Sequence, residues 1–160
     1  MSKLIFFILL LGFIPTKLKS QNCLTVDMMI LIDWSGSERS NEEKLATAAY
    51  MFASELPISE YELRMGIMTF SECVQDVVEL TGSKEKLLNG ISALALAEAS
   101  GGTFINKAIN FSCYELNNKR QVPKVIVIVS DGEIYDLEES LATLQMWKTT
   151  LPLSIYAVQI

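Results

Sequence analysis

Histidine is absent from the 160 residues, and that absence excludes the most. Without imidazole there is no Ser-His-Asp or Cys-His catalytic machine, no imidazole general base, and no zinc site built on histidine. Cysteine is scarce: Cys23, Cys73 and Cys113 are too few and too scattered for a four-cysteine zinc site. Positive charge is short as well. Thirteen Lys and Arg face nineteen Asp and Glu, a net charge of −6, so the chain lacks the basic surplus that nonspecific nucleic-acid binding requires. Internal repeats and low-complexity linkers are also missing. Half the residues are hydrophobic and a fifth are charged, which is neither a disordered nor a collagen-like composition, and the length suits one domain.

Only Leu4–Ile14, 11 residues, forms a long hydrophobic run. Spanning a bilayer takes about 20 apolar residues, so this run is too short to cross one. Lys3 precedes it and Pro15 ends it, and residues 1–20 read as a secretory signal peptide, with Ser20 as the small residue before a cut at Gln21. Leu18, Lys17 and Lys19 depart from the usual cleavage pattern, which keeps an uncleaved membrane anchor as the alternative. A lipoprotein is disfavoured by bulky Asn22 before Cys23. Removing the segment takes away three lysines and no acid, so the rest is more acidic still. Export permits disulfides, but an odd cysteine count leaves at least one thiol unpaired within the chain. Cys113 shares an apolar helix face with Ile105, Ala108, Ile109 and Leu116 and is expected to be a buried thiol; no bridge is assigned.

Strands and helices alternate. Met28–Ile32 and Val125–Val129 are continuous apolar strands, as strands covered on both faces should be. Leu63–Phe70 is a third strand. Cys73–Leu80 is patchier, which suits an antiparallel edge, and Leu153–Ile160 is the last. Helices are expected over Ser40–Leu56, Lys84–Leu94, Thr103–Leu116 and Asp136–Lys148. In the first, Ser40 and Glu43 make a capping box before a stripe of Leu45, Ala48, Ala49, Phe52 and Leu56; the last is capped by Asp136 and Glu139. Pro57, Pro123 and Pro152 fall between elements, where a missing N–H does no harm. The pattern predicts an α/β fold: a doubly wound, mostly parallel sheet flanked by helices, with one antiparallel edge strand.

Ligands of such sheets bind at the carboxyl ends of strands, where the strand order reverses. After the first apolar strand comes Asp33-Trp34-Ser35-Gly36-Ser37; after the second comes Ser130-Asp131-Gly132-Glu133; between them in sequence, Ser100-Gly101-Gly102-Thr103 opens a helix. If the two apolar strands are neighbours, the three loops meet. They bring two carboxylates and three hydroxyls, with no nitrogen or sulfur ligand. Hard oxygen donors of this kind suit Mg²⁺ or Mn²⁺. Two carboxylates roughly neutralise the ion, and neutral hydroxyls leave it electrophilic enough to seek one more anionic oxygen from outside. Gly36, Gly101 and Gly102 let the backbone turn tightly around it.

Together these pieces resemble the metal-ion-dependent adhesion site (MIDAS) of von Willebrand factor type A domains, as in integrin inserted domains. The family's Asp-x-Ser-x-Ser stands here as Asp33, Ser35 and Ser37, its threonine loop as Thr103, and its later aspartate as Asp131 before Gly132. The likeness covers nearly all of residues 25–160. It implies that Ser35, Ser37 and Thr103 touch the metal through hydroxyls, that Asp33 and Asp131 act largely through metal-bound waters and hydrogen bonds to the serines, and that a partner protein's Glu or Asp fills the open position. Trp34, where the family commonly has a small residue, either packs beneath the loop or joins Ser100 and Glu133 on the rim. Glu133 is alternatively a solvated acid or one that acts through a bound water.

Asn110-Phe111-Ser112 fits a glycosylation sequon but lies within a helix, and Asn117–Arg120 is a polar helix exit whose two basic residues form either a small docking patch or a solvated loop. The family normally continues past the strand matching Leu153–Ile160 with a helix and usually a strand, so the domain at residues 21–160 is expected to be short at its C-terminal end. The expected function is an exported, Mg²⁺-dependent protein-binding module, secreted or at the cell surface, with no membrane span once the signal is cleaved. Three alternatives compete: a Mg²⁺-dependent phosphoryl-transfer enzyme, an intracellular assembly subunit, and a truncated fragment without function. An aspartyl-phosphate enzyme wants a second acid two residues after its nucleophile, and Ser35 stands there instead.

Overall fold

The computed structural model describes residues 25–94, 98–132 and 134–160. The signal segment, Cys23 and Glu133 lie outside the described residues. The strands are β1 (Val26–Asp33), β2 (Leu63–Phe70), β3 (Val74–Thr81), β4 (Lys124–Ser130) and β5 (Leu153–Gln159). The helices are α1 (Glu42–Glu55), α2 (Lys84–Leu94), α3 (Asn106–Leu116) and α4 (Leu137–Lys148), and a 3-10 turn, Gly36–Ser40, precedes α1. Among the described residues the strands form one sheet in the order β3-β2-β1-β4-β5. All neighbours are parallel except β3, which runs antiparallel to β2 at the edge with two register shifts.

Alternation along the apolar strands explains the two layers. Ile30, Ile32, Val127 and Val129 face Leu45, Ala49 and Phe52 of α1 and Leu87, Ile91 and Leu94 of α2. Met29, Leu31, Ile126 and Ile128 face Ala108, Ile109, Cys113 and Leu116 of α3 and Trp147 of α4. Both faces being covered, neither strand needs polar residues along its middle. Cys113 is fully buried and burial pushes its thiol up to about 12, while Cys73 is exposed in the turn before β3. None of the described helices is long and apolar enough to cross a membrane.

Three helix starts differ from expectation. Ser40 and Glu43 form no capping box: the segment after Asp33 winds into the 3-10 turn first, and Asn41 takes the cap position of α1, its side-chain amide donating to Glu38 Oε2 at 3.0 Å. Thr103 is not helical; α3 begins at Asn106, because Phe104 N–H is held by Ser71 O and Thr103 O accepts from Tyr135 N–H. Asp136 does not cap its own helix. Its two carboxylate oxygens accept the N–H groups of Ile105 and Asn106, at 2.9 and 2.8 Å, satisfying donors at the start of α3 instead.

Candidate metal-binding site

The strand order reverses between β1 and β4, the neighbours in the middle of the sheet, and their carboxyl ends carry Asp33 and Asp131. Asp33 is fully buried as the last residue of β1. Its Oδ1 accepts the Ser35 N–H at 2.9 Å and its Oδ2 accepts the Ser130 hydroxyl at 2.6 Å. The sequence offered Ser130 only as a neighbour of Asp131; the register, which pairs Ile32 with Val129, sets Ser130 beside Asp33.

From Asp33 the hydroxyls run outward in a chain. Ser35 Oγ lies 3.0 Å from Ser37 Oγ, and Ser37 Oγ donates to Asp131 Oδ1 at 3.2 Å. The third loop is stitched on by backbone: Gly36 N–H donates to Gly101 O and Ser100 N–H to Trp34 O, each at 3.0 Å. Gly101 sits at φ 78°, the left-handed region where a side chain is strained. Thr103 is buried one turn of chain later and bonded through its carbonyl to Tyr135 N–H at 3.0 Å, which ties it to the loop after Asp131. The Asp33–Ser37 loop and the Asp131 loop thus meet side chain to side chain, and the threonine loop joins them through main chain.

Trp34 is not a rim residue. Its side chain is completely buried in the core, while its N–H and C=O bind Phe70 O and Ser100 N–H. A residue right after a buried strand end continues the strand's inward alternation, which carries the indole beneath the loop. Ser100 is exposed.

The donor set fits a small hard cation. Around an octahedral ion with metal–oxygen distances near 2.1 Å, adjacent oxygens are roughly 3 Å apart. The Ser35–Ser37 and Ser37–Asp131 separations of 3.0 and 3.2 Å are of that size. No ion pair among the described residues includes Asp33 or Asp131, so none of those residues supplies either with a cation. Nor do three or more His, Cys, Asp or Glu side chains gather into a metal-holding group among the described residues, so an ion here relies on hydroxyls.

The fold bears on two other readings of the sequence. The Asn110–Ser112 sequon is occluded: Asn110 Oδ1 accepts from Trp147 Nε1 at 2.9 Å and Ser112 is buried. Asn118 and Arg120 are neither a free patch nor a solvated loop. They converge with Arg64 and Lys124 on Asp27 at the opposite end of the sheet.

A family model, the von Willebrand factor type A domain, matches residues 27–160. The mouse collagen alpha-4(VI) chain is 26% identical over 124 residues, which is 73% of this chain and 5% of the collagen. Among solved structures, the open form of the pilus adhesin SpaC from Lactobacillus rhamnosus GG superposes with TM-score 0.73 at 14% identity, covering 86% of this chain and 24% of that one. Manganese-loaded TRAP protein of Plasmodium vivax gives 0.67 at 19%, covering 84% and 57%. Proximal thread matrix protein 1 of the mussel byssus, with a zinc-occupied MIDAS motif, gives 0.70 at 16%, covering 86% and 36%. At these identities the structures establish the shared fold alone. The chain spans a twentieth of the collagen relative's length and about a quarter of SpaC's.

Proposed function

The chain belongs to the von Willebrand factor type A family, and on that premise we propose that it is a divalent-cation-dependent protein-binding module, exported to act outside the cell or on its surface. Ser35, Ser37 and Thr103 hold one Mg²⁺ or Mn²⁺ through their hydroxyls. Asp33 and Asp131 bear on it largely through bound waters, and a partner's Glu or Asp carboxylate completes the shell. The observation that carries this is the row Ser35–Ser37–Asp131, spaced at 3.0 and 3.2 Å, above an Asp33 whose carboxylate is neutralised by no cation among the described residues. Asp33 already accepts two hydrogen bonds and lies out of solvent, which suits an orienting anion better than an attacking nucleophile. Relatives that are adhesins, a collagen, and proteins crystallised with manganese or zinc support the same reading.

One ion–carboxylate contact gives little affinity alone, so surrounding residues must supply the rest. The direct test is binding of the full chain to glutamate-bearing microspheres, in Mg²⁺ and then in EDTA, beside Asp33→Ala. Glutamate-dependent binding in Mg²⁺, abolished by EDTA and by the substitution, is expected. Undiminished binding in EDTA overturns the proposal.

A further inference from the structure

Two groups that the sequence did not single out flank the Gly101–Gly102 segment. On one side Phe104 and Tyr135 stand with ring centroids 5.4 Å apart and planes at 60°, although they are 40% and 65% exposed. Gly102 makes room for them: a Cβ there would come within 2.8 Å of the Tyr135 ring and 3.2 Å of the Phe104 ring. On the other side Glu72 lies over Gly101, where a Cβ would meet its Cδ at 3.1 Å and Oε1 at 3.2 Å. Glu72 is exposed and takes part in no ion pair among the described residues. Main-chain bonds fix both sides to the threonine loop, Phe104 N–H to Ser71 O at 2.9 Å and Tyr135 N–H to Thr103 O at 3.0 Å.

Resting on the carboxylate-binding function above, we propose that Phe104, Tyr135 and Glu72 form a subsite for a basic side chain of the partner, an arginine or lysine within a few residues of the acid that reaches the metal. Aromatic faces attract a cation through their quadrupole, and a guanidinium also stacks on them. Glu72 supplies the countercharge. An apolar occupant would bury that carboxylate without a partner, which is costly. A second acid would meet a chain of net charge −6. The partner segment that fits is therefore zwitterionic, an acid for the metal and a base for the rim.

The test displays glycine-rich peptides on microspheres and measures capture of the full chain in millimolar Mg²⁺. Each peptide carries one Glu, with Arg, Leu or only glycine scanned over the three positions on either side; a matched set carries Gln in place of Glu. Capture by the best Arg peptide is expected to exceed that by the glycine peptide roughly three- to tenfold. That gain should fall away in Glu72→Gln, Tyr135→Ala and Phe104→Ala, each of which removes one wall of the subsite. Capture by the glycine peptide should be unchanged in all three, which shows that the variants are folded and bind the acid. If Leu peptides match or exceed Arg peptides, or if the Arg gain survives all three substitutions, the basic subsite is refuted while the metal site stands. If Glu and Gln peptides are captured alike and EDTA changes nothing, it is the carboxylate-binding function that fails, and the subsite with it.

Discussion

Replacing Asp27 by asparagine should cost more stability than any surface charge in the molecule. Asp27 is fully buried at the start of β1, and the register seats it between Arg64 on β2 and Lys124 on β4. Its Oδ1 accepts from Arg64 Nε at 2.9 Å and Arg120 Nη1 at 2.8 Å. Its Oδ2 accepts from Arg64 Nη2 and Lys124 Nζ at 2.7 Å each, and from Asn118 Nδ2 at 3.1 Å. Asparagine keeps the shape but turns one oxygen into a donor, so two or three of these donors face another donor. Three cations also lose the anion they share, and one of them, Lys124, is itself buried. Breaking a buried pair in this way costs about 3–5 kcal/mol. At roughly 3–5 °C per kcal/mol for a domain of this size, the melting temperature should fall by about 10–20 °C at pH 7. Glu79→Gln is the control, because its pair with Lys86 lies in solvent, and it should change stability by less than about 0.5 kcal/mol.

The pH dependence gives the prediction a second edge. Burial alone would raise the Asp27 pKa, but the hydrogen bonds from Arg64, Lys124, Asn118 and Arg120 outweigh it and hold the carboxyl well below the usual carboxylate range. A group depressed on folding contributes its full stability above its unfolded pKa, about 3.9, and loses it as pH falls from there toward the folded value. Thermal melts followed by circular dichroism should therefore show a constant gap between wild type and Asp27→Asn from pH 7 to about 5, narrowing below about 4. A gap under about 5 °C at pH 7, or one that fails to narrow toward pH 2, refutes the reasoning.

Three further outcomes are expected. Mg²⁺ at about 100 times its dissociation constant should stabilise the chain by about 2.7 kcal/mol, roughly 8–13 °C in a melt, and Asp33→Ala should erase the shift; a cooperative melt indifferent to Mg²⁺ would mean the site binds no metal. Ser130→Ala removes the 2.6 Å bond to Asp33 Oδ2 and should weaken Mg²⁺ affinity by about 10- to 100-fold in a titration followed by calorimetry, whereas an unchanged affinity would show that Asp33 needs no such orientation. Thiol labelling at neutral pH, mapped by mass spectrometry, should modify exposed Cys73 and spare Cys113, whose thiol burial pushes up to about 12; native-state labelling of Cys113 would contradict its place in the core.

Features fixed by a residue's own pattern were legible in the sequence. The two apolar strands, the antiparallel edge and the order of the elements follow from periodicity and length, and β2 and α2 run over the expected residues, Leu63–Phe70 and Lys84–Leu94. The three loops at the switch point were legible because each follows or precedes an element whose place was clear. What escaped depends on who sits across the fold. Asp136 looks like the cap of the helix it precedes, yet its carboxylate goes to Ile105 and Asn106, 30 or so residues upstream. Nothing local distinguishes the two uses. Trp34 could face in or out until the burial of its strand's end was known. The Asp27 cluster left a trace that could have been read: a charge near the start of each of the three central strands, at Asp27, Arg64 and Lys124, which in-register pairing makes neighbours.

The two ends of β1 show why one acid is structural and the other is available for function. Asp27 and Asp33 sit on the same strand, six residues apart, and both are fully buried. At Asp27 the chain itself brings three cations and an amide, so the charge is answered on folding and nothing further is needed. At Asp33 the chain brings one hydroxyl and one backbone N–H and, among the described residues, no cation. A carboxylate out of water with only two neutral donors is under-compensated, and each added positive charge nearby lowers its free energy. The outward row of Ser35, Ser37 and Asp131 is where such a charge can sit, and oxygen is all it offers. Moving a lysine into that row should therefore stabilise the fold while ending Mg²⁺ dependence. Ser37→Lys should melt at or above the wild-type temperature measured without metal, and it should show no further rise with Mg²⁺ in the same scan. A variant that melts lower, or still responds to Mg²⁺, would show that Asp33 is already satisfied by its two hydrogen bonds.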